Sequence, residues 1–477
     1  MSATEPRPAQ SVQPELTARP ARYGLLGYPL GHSLSPQIHQ RLLAEAGLNG
    51  TYELLPTPLE QLQDQLQQLV HNFDGFNITI PYKQDVMAVL DQIDPEARRI
   101  GAVNTVVRAD DGTTTGYNTD LAGFLADAPE LTGQRVLILG AGGVSRTLAF
   151  AAAVRNAREV TILARNLAKA EQLAASVQAL YPDCPITITD DPQHCLQAEP
   201  LDPQDRPVIL NGTPLGMWPK TGALPVPLAL IKQAQAVYDT IYNPFVTRLV
   251  AKAKAHGIPA KTGLGMLVNQ AILAQQYWNP TAGLSLEQAP AIIAELAREI
   301  YRHSPLTLIL AGFMGSGKSR IGRELAAQLD WPLLDLDQVV EQEAGRTIPE
   351  IFASEGEAAF RSLERQALDR ALSADHCQIL ATGGGALLSP EAQAIVRSRP
   401  ALILYLDASL ETIEQRVGDG SGRPLIAGGD RERLHQLYQT RRPIYEALAD
   451  LTIDADLPLK TKLNQITAIL GLGGTPQ

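Results

Sequence analysis

An α/β chain of more than one domain is predicted by three features of the sequence. Short apolar runs of β type alternate with helical stretches along most of its length. Twice an apolar run turns through glycines into a helical pattern, at LILGAGGVSR (137–146) and at LILAGFMGSGKS (308–319). The 477 residues also exceed the size at which one hydrophobic core stops growing, so two or three domains are expected.

From Arg22 the alternation runs YGLLGY, a helix over about 36–46, TYELLP, a helix around 59–70, then GFNITIP, which predicts a parallel sheet. A second unit opens at Arg135 with VLILG, passes a helix over roughly 143–156 and meets the strand EVTILA at Glu159, a βαβ unit. Helical signal resumes near Leu267 and over 286–301. His303, Ser304 and Pro305 separate it from LTLILAG, so the last domain is expected to fold as a separate unit that stays close to the one before it.

Composition is that of a globular protein, at 45% hydrophobic and 19% charged residues. The formal net charge of −11 opposes the basic field that nucleic acid or an anionic membrane requires, whereas anionic small molecules need only local arginines. Cys184, Cys195 and Cys377 are odd in number and lack CxxC spacing, which points away from a disulfide framework or structural zinc and suits a reducing cytosol. Residues 1–21 are Pro-rich and read as a disordered tail, and no stretch approaches eighteen uninterrupted apolar residues.

GFMGSGKS satisfies G-x-x-x-x-G-K-[ST] between an apolar run and a helix. Glycines let backbone N–H groups curl around phosphate oxygens, Lys318 neutralises the β and γ phosphates, and the Ser319 hydroxyl suits magnesium. About 20 residues on, WPLLDLDQVVE sets Asp335 and Asp337 two apart at a strand end, where both can point into a cleft. Then come GEAAFR with Arg361, TGGGA with Gly383, Gly384 and Gly385, GSGRPL with Arg423, and RRPIY with Arg441. Each arginine alone reads as a solvated surface charge, and their joint spacing overturns that reading.

Residues 305–474 with these motifs resemble shikimate kinase, a P-loop kinase of nucleoside-monophosphate-kinase type. The resemblance implies that Gly315, Ser316, Gly317, Lys318, Ser319 and Arg320 hold ATP, with Arg416 beside the adenine and Arg423 reaching the transferring phosphoryl group from a lid. It implies magnesium at Ser319 and Asp335, and Asp337 on the shikimate hydroxyls. Arg361 and Arg441 would grip the substrate carboxylate, for which planar guanidinium suits an anion. Gly383, Gly384 and Gly385 would let the backbone approach the ring.

At the first glycine turn, GAGGVS (140–145) is a variant of G-x-G-x-x-G that ends in serine. The strand after its helix lacks the terminal acid of an NAD site and ends in Arg165, with Lys169 four residues on, which favours NADPH. GHSLSP (31–36), NITIPYK (77–83), GAVNT, GYNTD ending at Asp120, and TGLGMLVNQ (262–270) together resemble shikimate dehydrogenase. Alternation along NITIPYK places Asn77, Thr79 and, if the extended run continues, Lys83 on one face.

That resemblance spans roughly residues 22–302 and implies a substrate domain (22–121 with 263–302) around a Rossmann NADP domain (122–262). Ser33 and Ser35 would bind the substrate carboxylate, with Thr79, Asn104, Asp120 and Gln270 around its hydroxyls and Tyr242 near the carboxylate. Lys83 and Asp120 would be the catalytic pair. Gly140, Ala141, Gly142, Gly143, Val144, Ser145, Arg165, Lys169, Asn211, Thr213 and Gly263 would bind NADP(H). One departure is that the family's Asn-Arg-Thr is Ala164-Arg165-Asn166 here, which alters two polar contacts to the adenosine phosphate.

The expected function is reduction of 3-dehydroshikimate with NADPH followed by phosphorylation of shikimate with ATP and Mg2+. The expected partners are those small molecules, with no nucleic acid or membrane, and both monomer and homodimer stay open. Two other readings stand beside it: a shikimate- or quinate-sensing regulatory protein without catalysis, and a dehydrogenase that prefers quinate.

Overall fold

The computed structural model describes residues 19–31, 33–197, 202–417 and 431–473. They form two compact units, one ending at Thr119 and joined by Ala271–Ser285, the other holding Asp120–Gln270 and the chain from Leu286 onward. Asp120 and Gln270 therefore fall in the second unit, although the sequence reading puts both in the substrate segments 22–121 and 263–302.

The first unit is built on six strands, β1 (Ala21–Gly27), β2 (Gly50–Pro56), β3 (Gly75–Ile78), β4 (Gln92–Ile93), β5 (Thr105–Arg108) and β6 (Thr114–Tyr117), in the order β2-β1-β3-β5-β6-β4. The expectation of a parallel sheet holds for β1 with β2 and β3 and for β4 with β6, whereas β5 runs antiparallel to β3 and to β6. A tight turn causes this: Gly112 takes φ 90°, Ala109 and Thr113 close the loop, and the Asp111 side chain accepts from the Thr113 N–H. Asp-Gly within ADDGT was the signal for that hairpin. On one face Leu26, Phe76, Ile78, Tyr82 and Val86 form the core. On the other, Tyr23 stacks on Trp278 and the buried His39 stacks on Tyr52.

Two parallel sheets build the second unit. The first comprises β7 (Arg135–Leu139), β8 (Glu159–Leu163), β9 (Ile186–Thr189), β10 (Val208–Asn211), β11 (Ala236–Asp239) and β12 (Ala260–Thr262), in the order β12-β11-β10-β7-β8-β9. The strand order reverses between β7 and β10, and at such a point the carboxyl ends open a crevice for a dinucleotide. The second comprises β13 (Thr307–Ala311), β14 (Leu333–Asp335), β15 (Gln378–Ala381), β16 (Ala401–Asp407) and β17 (Leu451–Asp454), in the order β14-β15-β13-β16-β17. All five residues of β13 are buried, as a central strand covered on both faces must be. One face of this sheet packs into a core that also contains Val246, Val250 and Ala251 from around the helix Arg248–Ala255, and Tyr301 from the helix Ala289–His303.

Candidate active sites

At the end of β13 the chain turns through Gly312, Gly315 and Gly317, with φ of 150°, 79° and 96°, into the helix Lys318–Leu329. The last two angles are open to glycine without strain. No side chain caps this helix, so its first N–H groups face the loop, where an anion satisfies them. The Ser316 hydroxyl is buried and lacks a hydrogen-bond partner among the described residues, as a group reserved for a phosphate oxygen would. Lys318 Nζ donates to the carbonyls of Gly312 and Phe313 at 2.8 and 3.0 Å, and Arg416 Nη1 donates to that of Gly315 at 3.2 Å. Ser319 and Arg320 follow in the first turn and are exposed. Beside the loop lies a cavity of about 470 Å³ bordered by Gly317, Arg320, Arg416, Pro458 and Lys462. These residues fit a nucleoside triphosphate.

Asp335 and Asp337 do not lie on one strand, which corrects the period-two reading. Asp335 ends β14 and caps the helix Leu336–Ala344, its Oδ1 accepting the Asp337 N–H at 3.1 Å, and Asp337 sits in the first helical turn. A short polar side chain that can accept from the backbone favours a cap over a longer strand. Burial raises the Asp337 carboxyl above its ordinary range, the Asp335 charge adds to that, and Lys318 opposes it. Among the described residues no group of three or more His, Cys, Asp or Glu gathers around a metal position. Magnesium suits this donor set, one hydroxyl and one carboxylate with phosphate oxygens supplying the rest.

Each glycine of TGGGA faces one of the predicted substrate residues. A Cβ on Gly383 would stand 2.8 Å from Asp337 Oδ1, one on Gly384 3.4 Å from Arg441 Nη1, and one on Gly385 2.6 Å from Arg361 Nη2. Arg361 pairs with the buried Glu364 at 2.7 Å and with Glu357 at 3.3 Å. Arg441 donates to the Gly384 carbonyl at 3.0 Å, and the Tyr445 hydroxyl donates to the same oxygen. Glu364 and Tyr445 were missed in the sequence, although their spacings of three and four residues from Arg361 and Arg441 put each on its arginine's helix face. Arg423 lies outside the described residues.

In the other nucleotide site β7 turns at Gly140, φ 91°, into the helix Gly143–Val154, whose N-cap is Gly142 with no side-chain bond. A Cβ on Gly140 would meet Thr213 at 2.9 Å and Ser145 Oγ at 3.3 Å, so the turn lies against the end of β10. Ala141 is partly covered, Gly142, Gly143 and Val144 are exposed, and Ser145 is buried. Uncapped helix N–H groups, an exposed Gly-Gly and exposed Arg165 and Lys169 fit a dinucleotide carrying an additional phosphate. Asn166 caps the helix Leu167–Gln178 by accepting from the Lys169 N–H at 3.0 Å. Gly263 packs on the Thr240 carbonyl, 2.0 Å from where its Cβ would be, so backbone contact alone requires glycine there.

Asp239 ties the β10 and β11 ends together. It accepts from Asn211 Nδ2 at 2.8 Å, the Ile241 N–H at 3.1 Å and Thr247 Oγ1 at 2.6 Å, while Asn211 Oδ1 accepts from Thr213 Oγ1 at 2.7 Å. Burial pushes its carboxyl up to about 6 despite these donors. Tyr242, half-buried, follows in the same segment.

Within the first unit, Ser33 Oγ lies 3.1 Å from Ser35 Oγ, where Ser35 opens the helix Ser35–Glu45. Thr79 packs against Gly27. Asn104 Oδ1 accepts from the Thr119 N–H at 2.7 Å and its Nδ2 donates to Thr119 Oγ1 at 3.0 Å. Asn77 donates to Thr105 Oγ1 and accepts from Tyr52. Thr119 and Tyr52 belong to this buried polar cluster and were not among the predicted site residues. Lys83 is not the continuation of a strand: β3 ends at Ile78 and the chain turns over 80–83, because Tyr82 folds inward to donate to the Thr57 carbonyl. In the second unit, Asp120 lies in the first turn of the helix Thr119–Leu125, and Gln270 packs on Gly123 with its amide donating to the Leu267 carbonyl at 2.9 Å.

Three family models match the chain: the shikimate dehydrogenase substrate-binding domain at residues 25–106, shikimate / quinate 5-dehydrogenase at 123–191, and shikimate kinase at 314–470. Shikimate dehydrogenase (NADP(+)) of Caldanaerobacter subterraneus subsp. tengcongensis is 37% identical over 262 residues, covering 54% of this chain and 90% of the relative. A chorismate mutase/shikimate 5-dehydrogenase fusion protein from Clostridium acetobutylicum is similar in structure, at TM-score 0.52 and 30% identity over 59% of this chain and 99% of that one. A shikimate dehydrogenase in complex with NADP+ gives TM-score 0.52 and 31% identity over 58% and 96%.

Proposed function

Because the chain belongs to the shikimate dehydrogenase family and ends in a shikimate kinase domain, we propose that it performs two consecutive steps on one compound. The first is NADPH-dependent reduction of 3-dehydroshikimate to shikimate, and the second is transfer of the ATP γ-phosphoryl group to the shikimate 3-hydroxyl. One observation carries the proposal: residues 25–106 and 123–191 match dehydrogenase models and residues 314–470 a kinase model that are named for the same compound. In this reading 22–121 with 263–302 bind the substrate of the first step, 122–262 bind NADP(H), and 305–474 form the kinase.

NADPH, when bound, supplies the hydride to the ketone carbon. Ser33 and Ser35 hold the substrate carboxylate, and Thr79, Asn104 and Gln270 take its hydroxyls. Negative charge builds on the ketone oxygen, and Lys83 as an ammonium stabilises it and donates the proton, with Asp120 orienting Lys83 and sharing its proton. Asp239 holds Asn211 and Thr213 in place beneath the nicotinamide side.

In the kinase, Arg361 and Arg441 hold the carboxylate through charge-assisted bonds and Asp337 accepts the proton of the attacking hydroxyl. Lys318 and the loop N–H groups neutralise the phosphate, and Ser319 and Asp335 hold magnesium.

A preference for quinate with NAD is the rival reading, suggested by the shikimate / quinate description of residues 123–191 and by the altered Ala164-Arg165-Asn166. Initial rates of the purified chain with shikimate or quinate, each with NADP+ or NAD+, test it. The proposal expects shikimate with NADP+ to be fastest by at least tenfold, and a faster rate with quinate and NAD+ overturns it. No oxidation with any pair would favour the regulatory reading.

A further inference from the structure

The helix Arg248–Ala255 touches β11 and β12 of the Rossmann sheet and also β17 of the kinase sheet. At its N-terminus Thr247 donates to Asp239, whereas the next residue points the other way. Arg248 Nη2 donates to Asp450 Oδ2 at 2.8 Å, and its Nη1 donates to the Gly222 carbonyl at 2.9 Å. The side chains of Arg248 and Asp450 are 2% and 0% exposed. One turn on, Lys252 Nζ donates to the Ala449 carbonyl at 2.5 Å and stands 3.9 Å from Asp450 Oδ1.

Asp450 in turn holds the kinase sheet. Its Oδ2 accepts the Ile403 N–H at 2.9 Å and its own N–H donates to the Ile403 carbonyl at 2.9 Å, so it clamps β16 immediately before β17 begins. From β17 the chain runs to Ala455, whose carbonyl accepts from Lys462 and Arg416, and to Leu457 and Pro458, which border the cavity beside the phosphate loop. The contact is apolar as well as ionic, since Val246, Val250 and Ala251 share a buried cluster with Leu404, Leu406, Leu451 and Ile453.

We propose that the helix Arg248–Ala255 is a structural part of both catalytic halves, and that the Arg248–Asp450 pair is the lock that keeps the kinase strands β16 and β17 in place. A buried charge that loses its partner is strongly unfavourable, whereas an apolar pair of similar volume is tolerated. The kinase half is therefore not an independent passenger on the dehydrogenase: a substitution in the Rossmann helix loosens the kinase nucleotide cavity through Asp450.

Hydrogen exchange of the full chain, resolved by peptide, tests this without any ligand. Arg248→Met takes the guanidinium from buried Asp450, leaving it Lys252 at 3.9 Å, and is expected to raise exchange at least tenfold in peptides covering 401–407 and 451–454. Arg248→Met with Asp450→Asn removes both charges of the pair while the amide oxygen still accepts the Ile403 N–H, and is expected to return those peptides to within about threefold of the wild type. Arg248→Lys keeps a charge but loses the forked contact, so it gives a smaller rise in the same peptides and serves if Arg248→Met does not fold. Faster exchange confined to 208–211 and 236–239, with β16 and β17 unchanged, overturns the proposal. So does a double variant as open as the single one.

Discussion

Gly385→Ala probes the grip on the substrate carboxylate without touching a charged residue. A Cβ built there stands 2.6 and 2.7 Å from the two terminal nitrogens of Arg361 and 2.9 Å from its Cζ. Ordinary contact is about 3.5 Å, so the guanidinium retreats by roughly 0.9 Å. Gly385 does not have a left-handed φ, and the displaced atoms are the far end of a flexible side chain, so the fold tolerates the methyl group. What changes is the position of Arg361 relative to Glu364 and to the substrate. A hydrogen bond to a charged group is worth about 1.5–3 kcal/mol, so kcat/KM for shikimate falls roughly 10- to 150-fold. The assay is ADP release at varied shikimate and at varied ATP, beside a thermal melt. The expected result is a raised KM for shikimate, an unchanged KM for ATP and a melting temperature within a few degrees of the wild type. A folded variant with the wild-type KM for shikimate, or one whose KM for ATP alone moves, refutes the placement of Arg361.

Lys83→Ala lowers the dehydrogenase kcat by about 10²-fold or more and leaves ATP turnover alone, while Lys318→Ala does the reverse; loss of both activities in either folded variant contradicts the assignment of one lysine to each site. With Asp337 as the proposed proton acceptor, the kinase rate follows its ionised form, whose carboxyl is raised from 3.8 by burial and by Asp335, so the acid limb of the pH–rate profile is expected to centre above 3.8, with activity lost as pH falls through it. A limb at or below 3.8 argues against Asp337 as the proton acceptor. Asp239 stands at about 6 in the folded chain against 3.8 ordinarily, so the folded state keeps a proton that the unfolded chain releases. Its stabilising contribution is fully present below pH 3.8 and is lost as pH rises to about 6, by about 3 kcal/mol. Urea denaturation of wild type and Asp239→Asn at pH 4, 5 and 6 reads this as a falling wild-type advantage, and a constant difference contradicts it.

Features that depend on local chain conformation were legible. Gly315 and Gly317 announced a loop of left-handed backbone between strand and helix, and GAGGVS announced the turn after β7, because such turns require glycine at fixed offsets. Where the period-two rule was extended past its strand it failed: Lys83 lies in a turn, and Asp337 belongs to a helix that Asp335 caps. The antiparallel β5–β6 hairpin was marked by Asp-Gly but not read. Partners remote in sequence were not legible. Thr119 meets Asn104 at a separation of fifteen positions, and Arg248 meets Asp450 at one of 202. Nothing in the local pattern of Arg248–Ala255 distinguishes a helix packed on one sheet from one shared between two.

The central claim is that one compound links the two sites, and a single-tube assay measures it. Purified chain is mixed with 3-dehydroshikimate and Mg-ATP, NADPH is added, and nicotinamide absorbance and ADP are followed together. The account predicts that ADP stays flat until NADPH is added and then rises as NADPH is consumed, up to one ADP per NADPH. ADP formed at the same rate without NADPH, or NADPH consumed with no ADP released, contradicts it.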